Sequence, residues 1–259
     1  MTKRLLTIDI GNSNIHLGLW QDGRWAHTWR ARSEPQRMPD EHAVLLRSLL
    51  QGVGLDYGDV DGVVIGSVVP ALTAAYSELV PRYLGREALL VTHETDTGLR
   101  LDIDQPWQAG ADRIATAVAA HALYGGPAIV IDFGTATTFD VVTADGAWRG
   151  GAIAPGIGIS HDALVQRTAR LHAIDLAPPP QPLGRNTIHA MQSGIFWGYV
   201  GLVEGLVTRL RPSAGEAARV IATGGLAEVF SQHVPLIDEV APLLALDGLR
   251  LIYERNSQD

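Results

Sequence analysis

The sequence predicts an α/β protein made of two domains that repeat the same order of elements. Its 259 residues are enough for two packed domains of about 100–150 residues each. An apolar strand followed by Asp-x-Gly and small polar residues occurs at residues 5–14 and again at residues 128–137. An Asp-Gly dipeptide and then a tryptophan follow both copies at the same spacing. Because three features keep one register, we infer an internal duplication, with domains at residues 1–118 and 119–259 facing each other across a cleft.

Each domain is expected to begin with three antiparallel strands. The dipeptides Asp22-Gly23 and Asp145-Gly146 lie between apolar runs. Asp-Gly favours a tight hairpin there, because both residues tolerate a positive φ. The predicted strands are residues 4–10, 15–20 and 24–30 in the first domain, and 128–133, 137–143 and 147–153 in the second.

After these strands, each domain is expected to alternate between helices and short buried strands. The spacing of Val44, Leu45 and Leu49 predicts a helix, and Pro70 is suited to the first turn of the next one. The proline-rich residues 177–182 predict a stiff, extended connector. The predicted helices are residues 40–52, 71–84, 114–124, 158–171, 187–210, 226–232 and 243–254, and the predicted short strands are 63–65, 89–91 and 220–222.

Composition excludes several classes of function. The formal net charge of −8 argues against sequence-independent binding of DNA or RNA, which needs a basic face. It leaves anionic ligands possible, because backbone amides bind phosphate without a basic side chain. The absence of cysteine excludes disulfides and thiolate chemistry. The chain has no signal-peptide core and no run of about 18 apolar residues, so a cytoplasmic protein without a membrane span is expected.

The two Asp-x-Gly loops are candidate phosphate-binding loops. The chain lacks a Gly-x-x-x-x-Gly-Lys-Ser/Thr sequence, so it is not a P-loop enzyme. Gly11 and Gly134 allow the backbone to turn sharply and to approach a phosphate. Asp9 and Asp132 could serve a cation beside the phosphates, with Mg²⁺ considered for Asp9. Ordinary turns have a similar composition, but the duplication in register favours the functional interpretation.

Three further loops could carry chemistry. Asp112 could be a carboxylate base beside Arg113, which could grip a substrate carboxylate, or it could simply stabilise a helix N-terminus. Gly224 and Gly225 follow a strand and would let a flat ring such as adenine approach, although a plain strand-to-helix turn is an equal alternative. The glycine-dense residues 150–156 predict a loop that lines the cleft, or structural glycines at a strand end.

Taken in order, these segments resemble type III pantothenate kinase over nearly the whole chain. The resemblance implies an α/β fold of the duplicated actin-like ATPase type, with ribonuclease H-like domains. It also implies ATP-dependent phosphorylation of pantothenate, the first step of coenzyme A synthesis. The matching segments are residues 9–14, 67–70, 110–113, 132–137, 150–156, 184–187 and 223–227, with residues 246–249 and 252–253 near the C-terminus.

The resemblance assigns roles to individual residues. Asp112 would be the catalytic base, and Asp132 would bind a monovalent cation, potassium or ammonium. The resemblance also implies a homodimer, in which the partner subunit completes the pantothenate site. Two departures are the isoleucine at Ile103, where the family often has tyrosine, and Ser13 in place of the usual threonine. The implied ATP-binding residues are Asp9, Ile10, Gly11, Asn12, Ser13, Asn14, Ile15, His16 and Thr135, and the implied pantothenate-binding residues are Gly110, Ala111, Asp112, Arg113 and Thr187.

Two other functions are compatible with the same fold. The first is a kinase for another small molecule, such as a sugar or a carboxylate, which the segments at residues 110–113 and 184–187 disfavour. The second is a regulator of transcription similar to the Bvg accessory factor, a homologous branch without an enzymatic role. Retention of Asp9, Asp112 and Asp132 favours an active enzyme over the regulator.

Overall fold

The computed structural model describes residues 4–257, which divide into two compact units. Unit 1 contains the chain up to Ala119 together with the segment from Leu243 onward, and unit 2 contains the residues between them. The expected second domain, residues 119–259, included the C-terminal segment. In the structure, the segment from Leu243 onward belongs to unit 1 instead. The reason is burial: Leu246, Leu249 and Ile252 are fully buried, and the last helix packs on the sheet of unit 1.

Unit 1 is built on a five-stranded sheet with the order β3-β2-β1-β4-β5. The first three strands are antiparallel neighbours, and β4 and β5 continue the sheet in parallel with β1. This arrangement confirms the predicted meander of three antiparallel strands. It also confirms the first of the short strands that were expected to alternate with helices. The strands are β1 (Leu5–Ile10), β2 (Asn14–Gln21), β3 (Arg24–Arg32), β4 (Gly62–Ser67) and β5 (Ala88–Leu90).

Alternation along β1 decides which side chains face the core of unit 1. Leu6, Ile8 and Ile10 belong to the buried apolar cluster that includes residues of the first two helices. Thr7 and Asp9 therefore point to the opposite face, on which the last helix packs. The helices of unit 1 are α1 (Pro39–Gln51), α2 (Pro70–Leu79), α3 (Ala111–Tyr124), whose last turns enter unit 2, and the last helix, α7 (Leu244–Asn256).

Unit 2 repeats the strand order of unit 1. Its strands run β11-β10-β7-β8-β9, with β7, β8 and β9 antiparallel and β10 parallel to β7. The equivalent order in unit 1 confirms the internal duplication. The elements are β7 (Ala128–Phe133), β8 (Ala136–Val142), β9 (Ala147–Pro155), β10 (Arg219–Gly224) and β11 (Glu239–Val240), with α4 (Ile157–Gln166), α5 (Thr187–Ala214) and α6 (Ala227–Ser231).

The predicted elements are present, with a few differences in length. The helix expected over residues 71–84 changes to a π-helical turn at Val80–Leu84, which contains a proline. Helix α4 is shorter than expected, α3 begins three residues earlier and α5 ends four residues later, and the structure also has short elements that were not predicted. They are β6 (Arg100–Leu101), β11 and the 3-10 turns at Tyr57–Asp59 and Pro106–Gln108, all too short to give a periodic signal. In the part of the chain that is described, no helix combines the length and apolarity needed to span a membrane.

Candidate active site

The first phosphate loop is the tight connection between β1 and β2. The N–H of Gly11 donates to the carbonyl oxygen of Asn14 at 3.0 Å, which closes the turn. A Cβ atom at Gly11 would lie 3.2 Å from that same oxygen, so a side chain would crowd the turn. Asn12 and Ser13 are exposed at its tip. The loop therefore presents polar groups to solvent at the end of the strand that carries Asp9.

Val68 connects this loop to the loop that carries Asp112. Its N–H donates to the carbonyl oxygen of Ile10 at 3.0 Å. Its Cγ1 lies 3.3 Å from the position that a Cβ atom at Gly110 would take. The sequence indicated the segment around Val68 only through the family resemblance, because this contact uses a backbone N–H that every non-proline residue has. Within unit 1, Val68 thus places the phosphate loop and the Asp112 loop side by side.

Asp112 lies at the N-terminus of α3, as expected. Its Oδ1 accepts a hydrogen bond from the N–H of Arg113 at 2.7 Å. A Cβ atom at Gly110 would overlap with this oxygen, so glycine leaves the space that the carboxylate occupies. The carboxylate is therefore held in one orientation by the first turn of the helix and by the loop before it.

Burial raises the pKa of Asp112 above its ordinary value of 3.8. The N–H of Arg113 and the Arg113 guanidinium act in the opposite direction, but their influence is smaller. Desolvation is therefore the largest influence on the charge of Asp112, ahead of Arg113. A raised pKa makes Asp112 a better proton acceptor than an exposed carboxylate.

His16 lies opposite Asp9 in the register of β1 and β2, and opposite Arg30 in the register of β2 and β3. Side chains of directly opposed residues project from the same face of a sheet. Burial, and secondarily the charge of Arg30, lower the pKa of His16 to about 4. His16 is therefore neutral at neutral pH and can contribute hydrogen bonds, but no positive charge, to an anionic ligand.

The second phosphate loop connects β7 and β8 in unit 2. The N–H of Gly134 donates to the carbonyl oxygen of Ala136 at 3.1 Å, which closes a turn one residue shorter than that of the first loop. The N–H of Gly156 donates to the carbonyl oxygen of Thr135 at 3.2 Å. A Cβ atom at Gly156 would overlap with that oxygen. The segment 150–156 is thus mostly strand β9 rather than the expected loop, and its last glycine packs on the phosphate loop.

Asp132 lies beside the Thr-Gly-Gly turn that follows β10. In the parallel pairing of β10 with β7, Thr223 is opposite Asp132. A Cβ atom at Gly224 would overlap with Oδ1 of Asp132, and the φ of Gly224 is +89°, in the left-handed region. The backbone at Gly225 has open space around the position of a Cβ atom. A carboxylate beside exposed backbone carbonyl groups provides oxygen ligands suited to a hard cation.

Thr187 begins α5 and lines a cavity of about 700 Å³ within unit 2. Asn186 caps the helix by accepting a hydrogen bond from the N–H of His189 at 2.9 Å. The cavity combines apolar walls with polar groups at the helix start. Its lining includes Leu164, Leu171, Arg185, Asn186, Thr187 and Met191.

Each unit therefore gathers its own part of the predicted site. Unit 1 contains the first phosphate loop and the Asp112 loop, connected through Val68. Unit 2 contains Asp132, the second phosphate loop and the Thr-Gly-Gly turn, while Thr187 lines the cavity at the start of α5.

The comparisons with known proteins agree on one family. The sequence model of type III pantothenate kinase matches residues 5–209. A type III pantothenate kinase of Roseiflexus sp. (strain RS-1) is 53% identical over 252 residues, which are 97% of this chain and 99% of that relative. One of Moorella thermoacetica is 47% identical over 253 residues, 98% of this chain and 100% of the relative.

Solved structures with low identity share the fold. A Campylobacter jejuni protein described as a Baf family transcriptional activator has a TM-score of 0.60 at 20% identity, covering 97% of this chain and 98% of its own. The inorganic polyphosphate/ATP-glucomannokinase of Arthrobacter sp. strain KM has a TM-score of 0.52 at 16% identity and covers 98% of both chains. These likenesses confirm the expected duplicated actin-like ATPase fold, and at such identities they carry no functional assignment.

Likeness in fold alone would leave a sugar kinase and a transcriptional regulator as alternatives. The sequence relatives favour neither alternative, because both relatives are type III pantothenate kinases. The family model covers most of the chain, and both relatives are matched almost from end to end. The residues that the resemblance singled out lie in the loops described above. This chain therefore belongs to the type III pantothenate kinase family.

Proposed function

We propose that this chain transfers the γ-phosphoryl group of ATP to the hydroxyl group of pantothenate, giving 4′-phosphopantothenate for coenzyme A synthesis. The observation that carries the proposal is the position of Asp112 in unit 1. Its carboxylate is fixed at the start of α3, has a raised pKa, and lies on a loop that Val68 connects to the first phosphate loop. A proton acceptor beside a phosphate-binding loop is the arrangement that phosphoryl transfer to an alcohol requires.

Both phosphate loops are proposed to take part in binding ATP. In unit 1 the loop from Asp9 to His16 would hold the phosphates through backbone N–H groups and neutral side chains. In unit 2 Thr135 would contact the phosphates, and the Gly224–Gly225 turn, whose backbone is open at Gly225, would receive the adenine. This division follows from the duplication, since each unit supplies one Asp-x-Gly loop between its first two strands.

Two cations are part of the proposal. Asp9 is partly buried at the end of β1, beside the turn, where its carboxylate suits Mg²⁺ or the water shell of the ion. Mg²⁺, when bound, offsets the charge on the phosphate oxygens. Asp132 would hold a potassium or ammonium ion, since a single carboxylate with backbone carbonyls suits a large cation with a loose shell.

Asp112 would act as the general base. The attacking oxygen bonds late in phosphoryl transfer, so the hydroxyl group of pantothenate keeps its proton until transfer is well advanced. Asp112 therefore has to orient this hydroxyl in line with the γ-phosphate and accept the proton as it is released. The Arg113 guanidinium would bind the carboxylate of pantothenate through two hydrogen bonds.

We also propose a homodimer in which Thr187 of one copy completes the pantothenate site of the other. The apolar residues of α5 do not by themselves support a dimer, because Phe196, Val200 and Val203 are buried within unit 2. The support lies instead in apolar side chains that unit 2 leaves exposed on α4 and around the start of α5. They are Ile159 at 47%, Leu183 at 77% and Ile188 at 56% exposure.

The proposed partners are pantothenate, ATP and a second copy of the chain, in the cytoplasm, without nucleic acid or membrane. The test is a reaction of the purified protein with ATP, Mg²⁺, potassium and pantothenate, followed by ADP release and the mass of the product. Glucose and acetate serve as control acceptors. ADP release that needs pantothenate, with a product heavier by one phosphate group, supports the proposal. Equal or better phosphorylation of a control acceptor would replace it with another kinase of this fold.

A further inference from the structure

Ser33 contacts the first phosphate loop at two places. It follows directly after β3, the outer strand of the meander. Its hydroxyl donates to the carbonyl oxygen of Gly11 at 2.6 Å, and its backbone N–H donates to the carbonyl oxygen of Ser13 at 3.0 Å. The first bond is short for a hydroxyl donor and is partly buried, so solvent competes with it only weakly. One residue thus holds both the Gly11–Asn12 and the Ser13–Asn14 peptide groups of the loop.

These two bonds determine where the amide groups of the loop point. In a trans peptide the C=O and the following N–H point in opposite directions. Holding the carbonyl oxygens of Gly11 and Ser13 toward Ser33 therefore turns the N–H groups of Asn12 and Asn14 away from it. An anion-binding loop needs N–H groups that are oriented before the ligand arrives, since otherwise binding must also order the backbone.

We propose that Ser33 is a positioning residue for ATP: its hydroxyl fixes the Gly11–Asn12 peptide so that the loop presents amides to the phosphates. The inference rests on the proposed binding of ATP by this loop. Its physical core is that Gly11 has no side chain to restrict its own backbone, so the orientation of its peptide depends on an external contact. Val68 fixes the loop one residue earlier, at Ile10, and Ser33 fixes the turn itself.

The sharpest test compares Ser33→Thr with Ser33→Val. Threonine and valine have nearly the same shape, and both keep the backbone N–H bond to Ser13, so the pair differs mainly in the hydroxyl. We expect the valine variant to raise the KM for ATP, and the dissociation constant of ATP in calorimetry, about three- to tenfold, the effect of one hydrogen bond. The threonine variant should stay within about twofold of the original chain, and the KM for pantothenate should change little in either.

Ser33→Ala repeats the measurement without a branched side chain, in case branching disturbs the strand end. The control is Ser48→Ala on α1, where the hydroxyl bonds only to the carbonyl oxygen of Val44 within the helix. A valine variant with unchanged ATP affinity overturns the inference. Equal increases in both KM values together with a lower melting temperature also overturn it, because they indicate a merely structural role.

If the original chain binds ATP but does not phosphorylate pantothenate, the proposed acceptor fails and the calorimetry still decides the role of Ser33. If the original chain does not bind ATP, both fail.

Discussion

Gly248 on α7 lies directly against the backbone of Ala115 on α3. A Cβ atom at Gly248 would overlap with the carbonyl oxygen of Ala115 and would lie 2.8 Å from its Cα. Backbone atoms cannot move aside by a rotamer change, so any side chain at this position must separate the two helices. Ala115 is one turn after Asp112 on the same helix, so this contact sets the position of the proposed base.

Gly248→Ala is therefore expected to reduce turnover about tenfold or more while destabilising the chain by about 1–3 kcal/mol, the usual effect of overpacking. Turnover and urea unfolding of the variant measure the two effects. The control is Gly201→Ala on α5, where a Cβ atom would meet open space. Turnover of the Gly248 variant equal to that of the control would mean that the contact does not position Asp112.

Asp112→Asn keeps the size of the side chain and much of its hydrogen bonding, but the amide cannot accept the proton. We expect turnover to fall by about 10²–10⁴-fold, the usual contribution of a general base. The affinity for ATP should change by less than about tenfold, because ATP is proposed to bind to other loops. Arg113→Ala should instead mainly raise the KM for pantothenate. A variant with asparagine that retains near-normal turnover, or that mainly loses ATP binding, contradicts the role of Asp112.

The pH dependence of turnover offers a second measurement on Asp112. The base works only when it is deprotonated, so activity falls as the pH drops through its pKa. Because burial raises this pKa, the acid limb of the profile should lie above 3.8, the ordinary value of an aspartate. The residual activity of Asp112→Asn should lack this limb. A limb that persists in that variant belongs to a different group.

The cation site predicts a dependence on the monovalent salt. If Asp132 holds potassium beside the phosphates, activity should rise sharply when potassium or ammonium replaces sodium at constant ionic strength. Gly224→Ala should weaken this response, because the new Cβ atom would collide with the Asp132 carboxylate. Activity that is equal in sodium alone would count against the assignment of Asp132.

The homodimer is checked by light scattering at micromolar concentration, where we expect the mass of two chains. Ile188→Glu places a charge among the exposed apolar residues at the start of α5 and should shift the equilibrium toward monomer. Val44→Glu on α1 is the matched control, since Val44 is 67% exposed and lies in unit 1. A monomeric original chain would remove the proposed role of Thr187 across the interface.

His42 predicts a loss of stability in mild acid. The imidazole is fully buried and packs at 5.2 Å from the ring of Tyr76. Burial, and secondarily the charge of Arg37, lower its pKa below the ordinary value of 6.5. The folded state therefore favours the neutral form. Its contribution to stability is complete above pH 6.5 and is lost as the pH falls from there toward the folded pKa, at about 1.4 kcal/mol per pH unit.

The measurement for His42 is the free energy of urea unfolding at pH 7.5 and at pH 5. His42→Phe keeps an aromatic ring against Tyr76 without a titratable group, so its stability should decrease less between the two values. If the variant loses as much stability between pH 7.5 and pH 5 as the original chain does, other residues cause the acid sensitivity.

Local physical chemistry was enough for much of the fold and for the candidate residues. The Asp-Gly turns gave the hairpins, because few residues accept a positive φ. The repeat of Asp-x-Gly at Asp9 and Asp132 gave the duplication and the two phosphate loops. Helical spacing from residue 114 predicted most of α3, with Asp112 close to its start, because a helix terminus depends on its immediate neighbours.

The sequence by itself therefore determined the two Asp-x-Gly loops, the position of Asp112 at the start of a helix, and the family, all of which depend on residues close together along the chain. Only the tertiary structure decided that the last helix belongs to unit 1, that Gly248 sets its distance from α3, and that Ser33 and Val68 hold the first loop. It also decided that most apolar residues of α5 serve their own core. The physical reason is that these contacts join residues far apart in sequence, through backbone groups and close packing that leave no periodic or compositional trace.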